Sequence, residues 1–370
     1  MSLRGFWSRL LSRRSSPSTA APPSPKAASA SPPSVPATDR SAAPARAPQP
    51  ATAAVERSAI PPTERHDERQ VRFFCWLTGV SAAAAPGPDT ALAGVVEPLL
   101  ERLDAVIASD ALRANLLPRA PHVVPQLMKT LRDETYSSVD VASRISRDVV
   151  LSAEVIRSAT SVYRAKEDDE GEIDLARAVA IIGTAGLRRA IASVVLRPIF
   201  DSGGDTLSAK AAVKIWRDAD RKARLGSAMA ATLSLDPFDG YLAGLLHNAG
   251  WTAMLRALDG VDDVLFVAAD LAHPAVVPQL LRRRDALFGA LVGPWNLSPA
   301  MDALAAEVGQ AGLDAARSPL AVALRDANRL AALYALAPAG HRPDSAVPGW
   351  TELARPIQDC YTGLSRAAAA

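Results

Sequence analysis

From about residue 66 onward, apolar residues recur every three or four positions, which is the spacing of one face of an α-helix. Val95, Val96, Leu99, Leu100 and Leu103 form one such stripe. No segment alternates convincingly between apolar and polar residues, as a half-buried strand would. Aromatic residues, on which strands draw heavily, make up only 5% of the chain, whereas apolar residues make up 49%. The sequence therefore predicts an all-α bundle with a sizeable core.

The first 65 residues have a different composition. Residues 15–65 are rich in Pro, Ala and Ser, contain twelve of the 29 prolines and have no periodic apolar face, so we expect a disordered linker there. Residues 1–14 combine an apolar helical stripe with basic residues. That stripe consists of Leu3, Phe6, Trp7, Leu10 and Leu11, and the basic residues are Arg4, Arg9, Arg13 and Arg14. Such a segment contacts a membrane interface or a partner groove when it is functional; otherwise it is a frayed chain start.

Charge and cysteine content limit the class of protein. Residues 1–62 carry eight Lys or Arg against two Asp or Glu, whereas the rest carries 33 against 37. The globular part is therefore no basic platform for nucleic acid, and no nucleic-acid partner is expected. The two cysteines, Cys75 and Cys360, form no CxxC pair, which favours a reducing cytoplasmic setting. We also find no apolar run long enough to predict a membrane-spanning helix.

Capping residues mark several helix boundaries. Asp174 precedes one predicted helix, which Gly183 closes, and Thr184 precedes the next. The "GTAGLRR" segment at 183–189 could hold an anion through free amides together with Arg188 and Arg189, but a C-cap followed by an N-cap explains it more simply. One long helix is predicted over 208–235 and another over 241–258.

Residues 244–250, "GLLHNAG", carry the most informative pair, His247 and Asn248. Walker-type and Rossmann-type glycine loops and a GxSxG nucleophile elbow are all missing from the sequence. The segment resembles the "GLLHDIG" of the HD-domain superfamily, whose His-Asp pair holds a divalent metal for phosphoester hydrolysis.

Residues 116–310 resemble the HD-related output domain, HDOD, a degenerate branch of that superfamily. The resemblance is carried by "LPRAPHVVPQLMKTL", "ISRDVVLSAEVIRSATSVY", "IDLARAVAIIGTAGLRRAI", "YLAGLLHNAG" and "FGALVGPWNLS" in family order. It implies an HD-like helical bundle at 116–310, which leaves residues 66–115 and 311–370 as helical extensions.

The chain departs from the enzyme-type pattern at the metal-ligand positions. Asp218 stands where such relatives carry a His after Trp-Arg, Asn248 replaces the Asp of the pair, and Arg284 or Asp285 stands near the position of a later His. Neither a catalytic residue nor a metal or other cofactor is therefore expected. We expect His247 to be a structural histidine bonded to Asp218 or to a backbone carbonyl, with a non-metal ligand pocket as the alternative.

The resemblance implies a bacterial signal-transduction adaptor that binds a signalling protein instead of catalysing a reaction. Two other functions stay open: a metal-dependent phosphohydrolase with an atypical HD site, and a membrane-peripheral regulator anchored at the inner membrane through residues 1–14.

Overall fold

A computed structural model describes residues 66–80, 89–117, 149–163, 174–261, 268–337 and 347–368. In these ranges every regular element is helical, and no strand occurs. The α-helices, in chain order, are α1 His66–Thr78, α2 Asp89–Ala108, α3 Asp110–Ala114, α4 Val149–Tyr163, α5 Leu175–Leu196, α6 Leu207–Thr232, α7 Pro237–His247, α8 Ala249–Leu258, α9 Ala268–Leu271, α10 Val277–Val292, α11 Pro299–Ala311, α12 Pro319–Leu336 and α13 Arg355–Ala368. The prediction of an all-α fold is confirmed. Residues 1–65, with the predicted linker and amphipathic segment, lie outside the described residues, as do most of the "LPRAPHVVPQLMKTL" and the start of the "ISRDVV" segments.

Helix α6 is the centre of the fold, since α1, α7, α8, α12 and α13 all pack against it. Its N-terminus is capped by Thr206, whose hydroxyl accepts from the Ala209 amide at 3.2 Å. Helices α6 and α7 run antiparallel in very close contact. A Cβ atom on Gly244 would lie 2.4 Å from the backbone oxygen of Lys222. This close approach brings the C-terminal end of α7 against the middle of α6.

Two helix boundaries bear on the predictions. Gly183 interrupts α5 with φ 60° and ψ −171°, a conformation open to glycine, so the predicted break between two helices at this point is correct. The single helix predicted over 241–258 is wrong, because Asn248 separates α7 from α8. The Asn248 side chain is committed to partners on α6, which fixes the chain at the junction of the two helices.

Both predicted extensions are helical and pack onto the central helices. On the N-terminal side, α1 contacts α6, α10 and α12, and α2 contacts α8 and α10. On the C-terminal side, α13 contributes Ile357, Tyr361 and Leu364 to a core cluster that includes Leu225 and Met229 of α6. The domain boundaries themselves stay a prediction.

One described stretch, Leu175–Ile199, is long and apolar enough to cross a membrane by length and composition alone. Half of its most apolar window is buried inside the fold. The core helix of a soluble protein has the same properties, so this stretch is weak evidence for a membrane span.

Candidate functional site

The four residues predicted at the degenerate HD positions, Asp218, His247, Asn248 and Arg284, come together in the structure. Asp218 lies on α6, His247 ends α7, Asn248 follows it directly, and Arg284 lies on α10. Two further residues complete what we call the polar cluster, namely Lys222 on α6 and Asp285 on α10. All six are buried, the most accessible being Arg284 at 5% exposure.

The Lys222 ammonium lies at the centre of the polar cluster. Its Nζ is 2.6 Å from Oδ1 of Asn248, 3.3 Å from Nδ1 of His247 and 3.4 Å from Oδ2 of Asp218. A protonated lysine has three N–H donors and no acceptor, so these three atoms match its hydrogen-bonding capacity. The atoms that would bind a metal cation therefore converge on a cation supplied by the chain itself.

The carboxamide of Asn248 is fully engaged. Its Oδ1 accepts from Lys222, while its Nδ2 donates to the backbone oxygen of Ile215 at 3.0 Å and to Oδ2 of Asp218 at 2.9 Å. An aspartate in this position could not donate to either acceptor. Asparagine is thus the residue that this geometry requires, because one end must accept and the other must donate twice.

His247 is held between Lys222 and Asp285. Its Nε2 is 3.0 Å from Oδ1 of Asp285, and its ring edge meets Phe288 at a centroid distance of 5.4 Å. Since the Lys222 ammonium donates to Nδ1, the proton of a neutral imidazole sits on Nε2 and is donated to Asp285. The expected partner of His247, Asp218 or a backbone carbonyl, is therefore wrong. Oδ2 of Asp218 instead accepts from Nδ2 of Asn248 and pairs with the Lys222 ammonium.

Asp285 is also fixed by Arg284 and by the chain after α11. Both Nε and Nη2 of Arg284 donate to Oδ1, at 2.9 and 2.6 Å, and the Leu313 amide donates to Oδ2 at 2.8 Å. The Arg284 guanidinium also lies 5.3 Å from the ring centroid of Trp251.

Burial and neighbouring charges shift the pKa values of the polar cluster. Burial, with the positive charges of Arg284 and Lys222, lowers the pKa of His247 to about 3, so the imidazole is neutral. Burial lowers the pKa of Lys222 to about 8, against the opposing effect of Asp218, so the amine is still mainly charged at neutral pH. Burial would raise the pKa of Asp285, but Arg284 and the bonds from His247 and Leu313 hold it well below its usual range.

These charges balance without an added ion, because Lys222 and Arg284 offset Asp218 and Asp285. A divalent cation would have to displace the Lys222 ammonium and would face the Arg284 guanidinium nearby. No group of three or more His, Cys, Asp or Glu side chains suited to a metal ion occurs in the described part of the chain. The polar cluster therefore does not fit a divalent metal.

Sequence reasoning missed Lys222 as a member of the site and left Asp285 as an alternative to Arg284. The spacing of Asp218 and Lys222, four residues apart on one helix, was a usable signal for an ion pair. A lysine is nevertheless expected at the surface, since it is almost never fully buried unless it is paired.

The profile of the HDOD domain matches residues 117–309, a little more than half of the chain. A comparison with curated proteins finds no match.

Two solved structures are similar to the chain. One is a protein from Shewanella amazonensis SB2B named as a candidate metal-dependent phosphohydrolase, 21% identical, with a TM-score of 0.49 over 73% of this chain and 98% of its own. The other is an HDOD domain protein of unknown function from Geobacter sulfurreducens, 20% identical, with a TM-score of 0.46 over 74% of this chain and 93% of its own.

Proposed function

Because the chain belongs to the HDOD family, we propose that it is a non-catalytic bacterial signal-transduction adaptor that acts by binding a signalling protein. We place it in the cytoplasm, with no metal or other cofactor in the polar cluster. Residues 1–14 are proposed as a peripheral contact with the inner membrane.

The observation that supports the non-catalytic role is the position of Lys222. Metal-dependent hydrolysis needs a cation that activates water, held by donors that keep a coordination position open. Here Oδ1 of Asn248, Nδ1 of His247 and Oδ2 of Asp218 all lie against the Lys222 ammonium. A primary ammonium contributes charge and hydrogen bonds but cannot act as a Lewis acid towards water.

The burial of the polar cluster supports the same proposal. Lys222, His247 and Asn248 have no measurable exposure, and Asp218 has 1%. A phosphoester would have to reach these atoms through packed helices, against the close contacts between α6 and α7. Among the described residues, Oδ1 of Asp218 has no hydrogen-bond partner, but Oδ2 of Asp218 and the other side chains of the polar cluster are bonded to neighbouring helices. A buried network of this kind specifies how helices pack, which is a structural role.

The competing hypothesis of a phosphohydrolase is tested by an assay of the full chain with Mn²⁺ or Fe²⁺. The substrates are cyclic dinucleotides and a generic phosphodiester, and the variants are His247→Ala and, as a matched control, His273→Ala. His273 lies outside the polar cluster, where its Nδ1 accepts from the Ala275 amide. We expect no metal-dependent turnover by any of the three proteins. Turnover that His247→Ala abolishes and His273→Ala retains would overturn the adaptor proposal.

The adaptor role requires a partner that can be isolated from the native host. We expect the full chain to capture a signalling protein and the purified pair to form a stable complex in solution. Absence of any partner in such an experiment would count against the proposal even if the protein has no turnover.

The proposed membrane contact has its own test. The full chain and a chain starting at residue 63 are compared by flotation with liposomes that contain anionic lipid. We expect only the full chain to float, because the apolar stripe and the basic residues of the segment 1–14 are missing from the shorter chain. Equal flotation of the two would exclude this anchor and leave the adaptor role intact.

A further inference from the structure

A cavity of about 680 Å³ lies between α4, α5, α6, α7 and α13, and none of the six polar-cluster residues lines it. Helix α13, which supplies one wall, begins at residue 355, well beyond the segment that matches the HDOD profile. The cavity is therefore formed jointly by the HDOD domain and the C-terminal extension. Its volume is in the range of small-molecule sites, roughly 300–1,000 Å³.

Four charged residues on or beside this wall neutralise one another. Arg157 donates to Glu154 through Nε at 2.9 Å and Nη2 at 2.5 Å, and the same Nη2 lies 3.9 Å from Asp220. Asp220 in turn accepts from Nη2 of Arg224 at 3.1 Å. Of these pairs, only Arg157–Asp220 joins α4 to α6, and none of the four charges is available to a ligand without breaking a pair.

Two other arginines in the cavity wall form no such ion pair with the described residues. Arg189 comes from α5 and is half-buried, whereas Arg355 comes from α13 and is exposed. Neither makes a hydrogen bond or an ion pair with any residue that the structure describes. Asp359, one turn after Arg355, likewise pairs with none of the residues that the structure describes. The three unpaired charges of the lining, two arginines and one aspartate, therefore sum to a positive charge.

We propose that this cavity binds a small anion and that Arg189 and Arg355 donate to its phosphate or carboxylate oxygens. A guanidinium presents a planar fork of N–H donors that fits either oxyanion, and a half-buried fork holds it more strongly than an exposed one. Asp359 lies on the same wall to accept from a hydroxyl or amino group of the ligand. The inference does not depend on the adaptor role, although under that role the anion would be the signal that the adaptor senses.

Isothermal titration calorimetry of the full chain tests the proposal, with pyrophosphate and citrate as the phosphate and carboxylate probes. We expect saturable binding of at least one of them. Arg189→Gln should weaken that binding about tenfold, the effect of losing one charge-assisted donor pair, and Arg355→Gln should weaken it by a smaller factor of about three, because its guanidinium is exposed. Arg217→Gln is the matched control, since Arg217 is exposed and does not line the cavity; it should bind within about twofold of the wild type.

The two cysteines provide a second readout that locates the bound anion. Cys360 lines the cavity, and burial raises the pKa of its thiol to about 11, whereas Cys75 lies on α1 outside the cavity. Alkylation at about pH 9, followed by mass spectrometry, should show that the bound anion slows modification of Cys360 and leaves Cys75 unchanged.

Several results would overturn the proposal. They are absence of binding by the wild type, equal loss in Arg217→Gln and the two cavity variants, and equal protection of both cysteines. A glutamate-rich peptide is titrated in parallel. Binding of that peptide without binding of either small anion would mean that the cavity receives a segment of a protein, which would also contradict a small-molecule site.

Discussion

The ammonium of Lys222 donates to the side-chain oxygen of Asn248 across 2.6 Å, in a part of the core where neither residue has measurable exposure. The buried cation of Lys222 thus contacts Asn248, which occupies the position where the enzyme-type pattern has an aspartate. The buried Lys222 ammonium requires an acceptor at position 248, and the Asn248 oxygen requires a donor at position 222.

Replacing Lys222 with methionine should destabilise the fold by about 3–5 kcal/mol, because it leaves the buried Asp218 carboxylate without its positive partner. Lys210→Met is the matched control on the same helix. Lys210 is 48% exposed in an ion pair with Asp205, so its loss should cost about 0.5 kcal/mol or less. Urea unfolding of the two variants measures the difference. Equal stability would show that Lys222 is not the centre of the polar cluster.

Replacing Asn248 with aspartate should destabilise the protein at neutral pH by about 1–3 kcal/mol and create no hydrolase activity. The new oxygen would face the acceptors of Ile215 and Asp218, which now receive the Asn248 amide. Since two close carboxylates share a proton more readily when folded, the deficit relative to the wild type should shrink as the pH falls. Metal-dependent turnover in this variant would show that the polar cluster can still accept a cation.

Acid should destabilise the wild type from about pH 6.5 downward, and His247 should account for one proton of that dependence. The folded-state pKa of His247 is lowered to about 3, so the unfolded chain binds the proton first. The associated stability is fully present above the unfolded pKa and is lost as the pH falls towards the folded one. The loss is about 1.4 kcal/mol per pH unit, or about 2 kcal/mol between pH 6.5 and 5.

Unfolding by urea at several pH values measures this slope. In His247→Gln, the free energy of unfolding should depend less steeply on pH between about pH 6 and 4. The difference in slope should correspond to the uptake of about one proton on unfolding. If wild type and variant fall in parallel, the proton uptake belongs to other groups. Asp285, whose pKa is lowered, should add its own loss below its ordinary pKa.

Replacing Gly244 with alanine should destabilise the fold by at least about 1–3 kcal/mol, since backbone atoms of α6 would have to move. The added Cβ would lie 2.4 Å from the Lys222 oxygen and 2.6 Å from the Ala223 Cα. Gly94→Ala is the control, because Gly94 lies in α2 with nothing within 4 Å of an added Cβ. That variant should gain about 0.5–1 kcal/mol from helix propensity. Thermal or urea unfolding of both variants separates tight packing from propensity.

The sequence was enough to predict the fold, from helical periodicity, the "GLLHNAG" segment and the order of the family motifs. It was also enough to predict that one site contains Asp218, His247, Asn248 and Arg284. Their partners could not be predicted, because a hydrogen bond depends on side-chain direction and on how closely α6, α7 and α10 approach. Lys222 was missed since a lysine in an amphipathic helix usually faces solvent. The break between α7 and α8 was missed for a related reason: Asn248 is held by tertiary contacts that local propensity does not contain.

One core cluster limits where this chain can be truncated. It joins residues of α6 to residues of α13, namely Leu225 and Met229 to Ile357, Tyr361 and Leu364. The profile match ends at residue 309, yet a chain truncated there would expose apolar side chains of its own central helix to water. The part of the chain that has to be kept together to cover this core is therefore larger than the part that matches the profile.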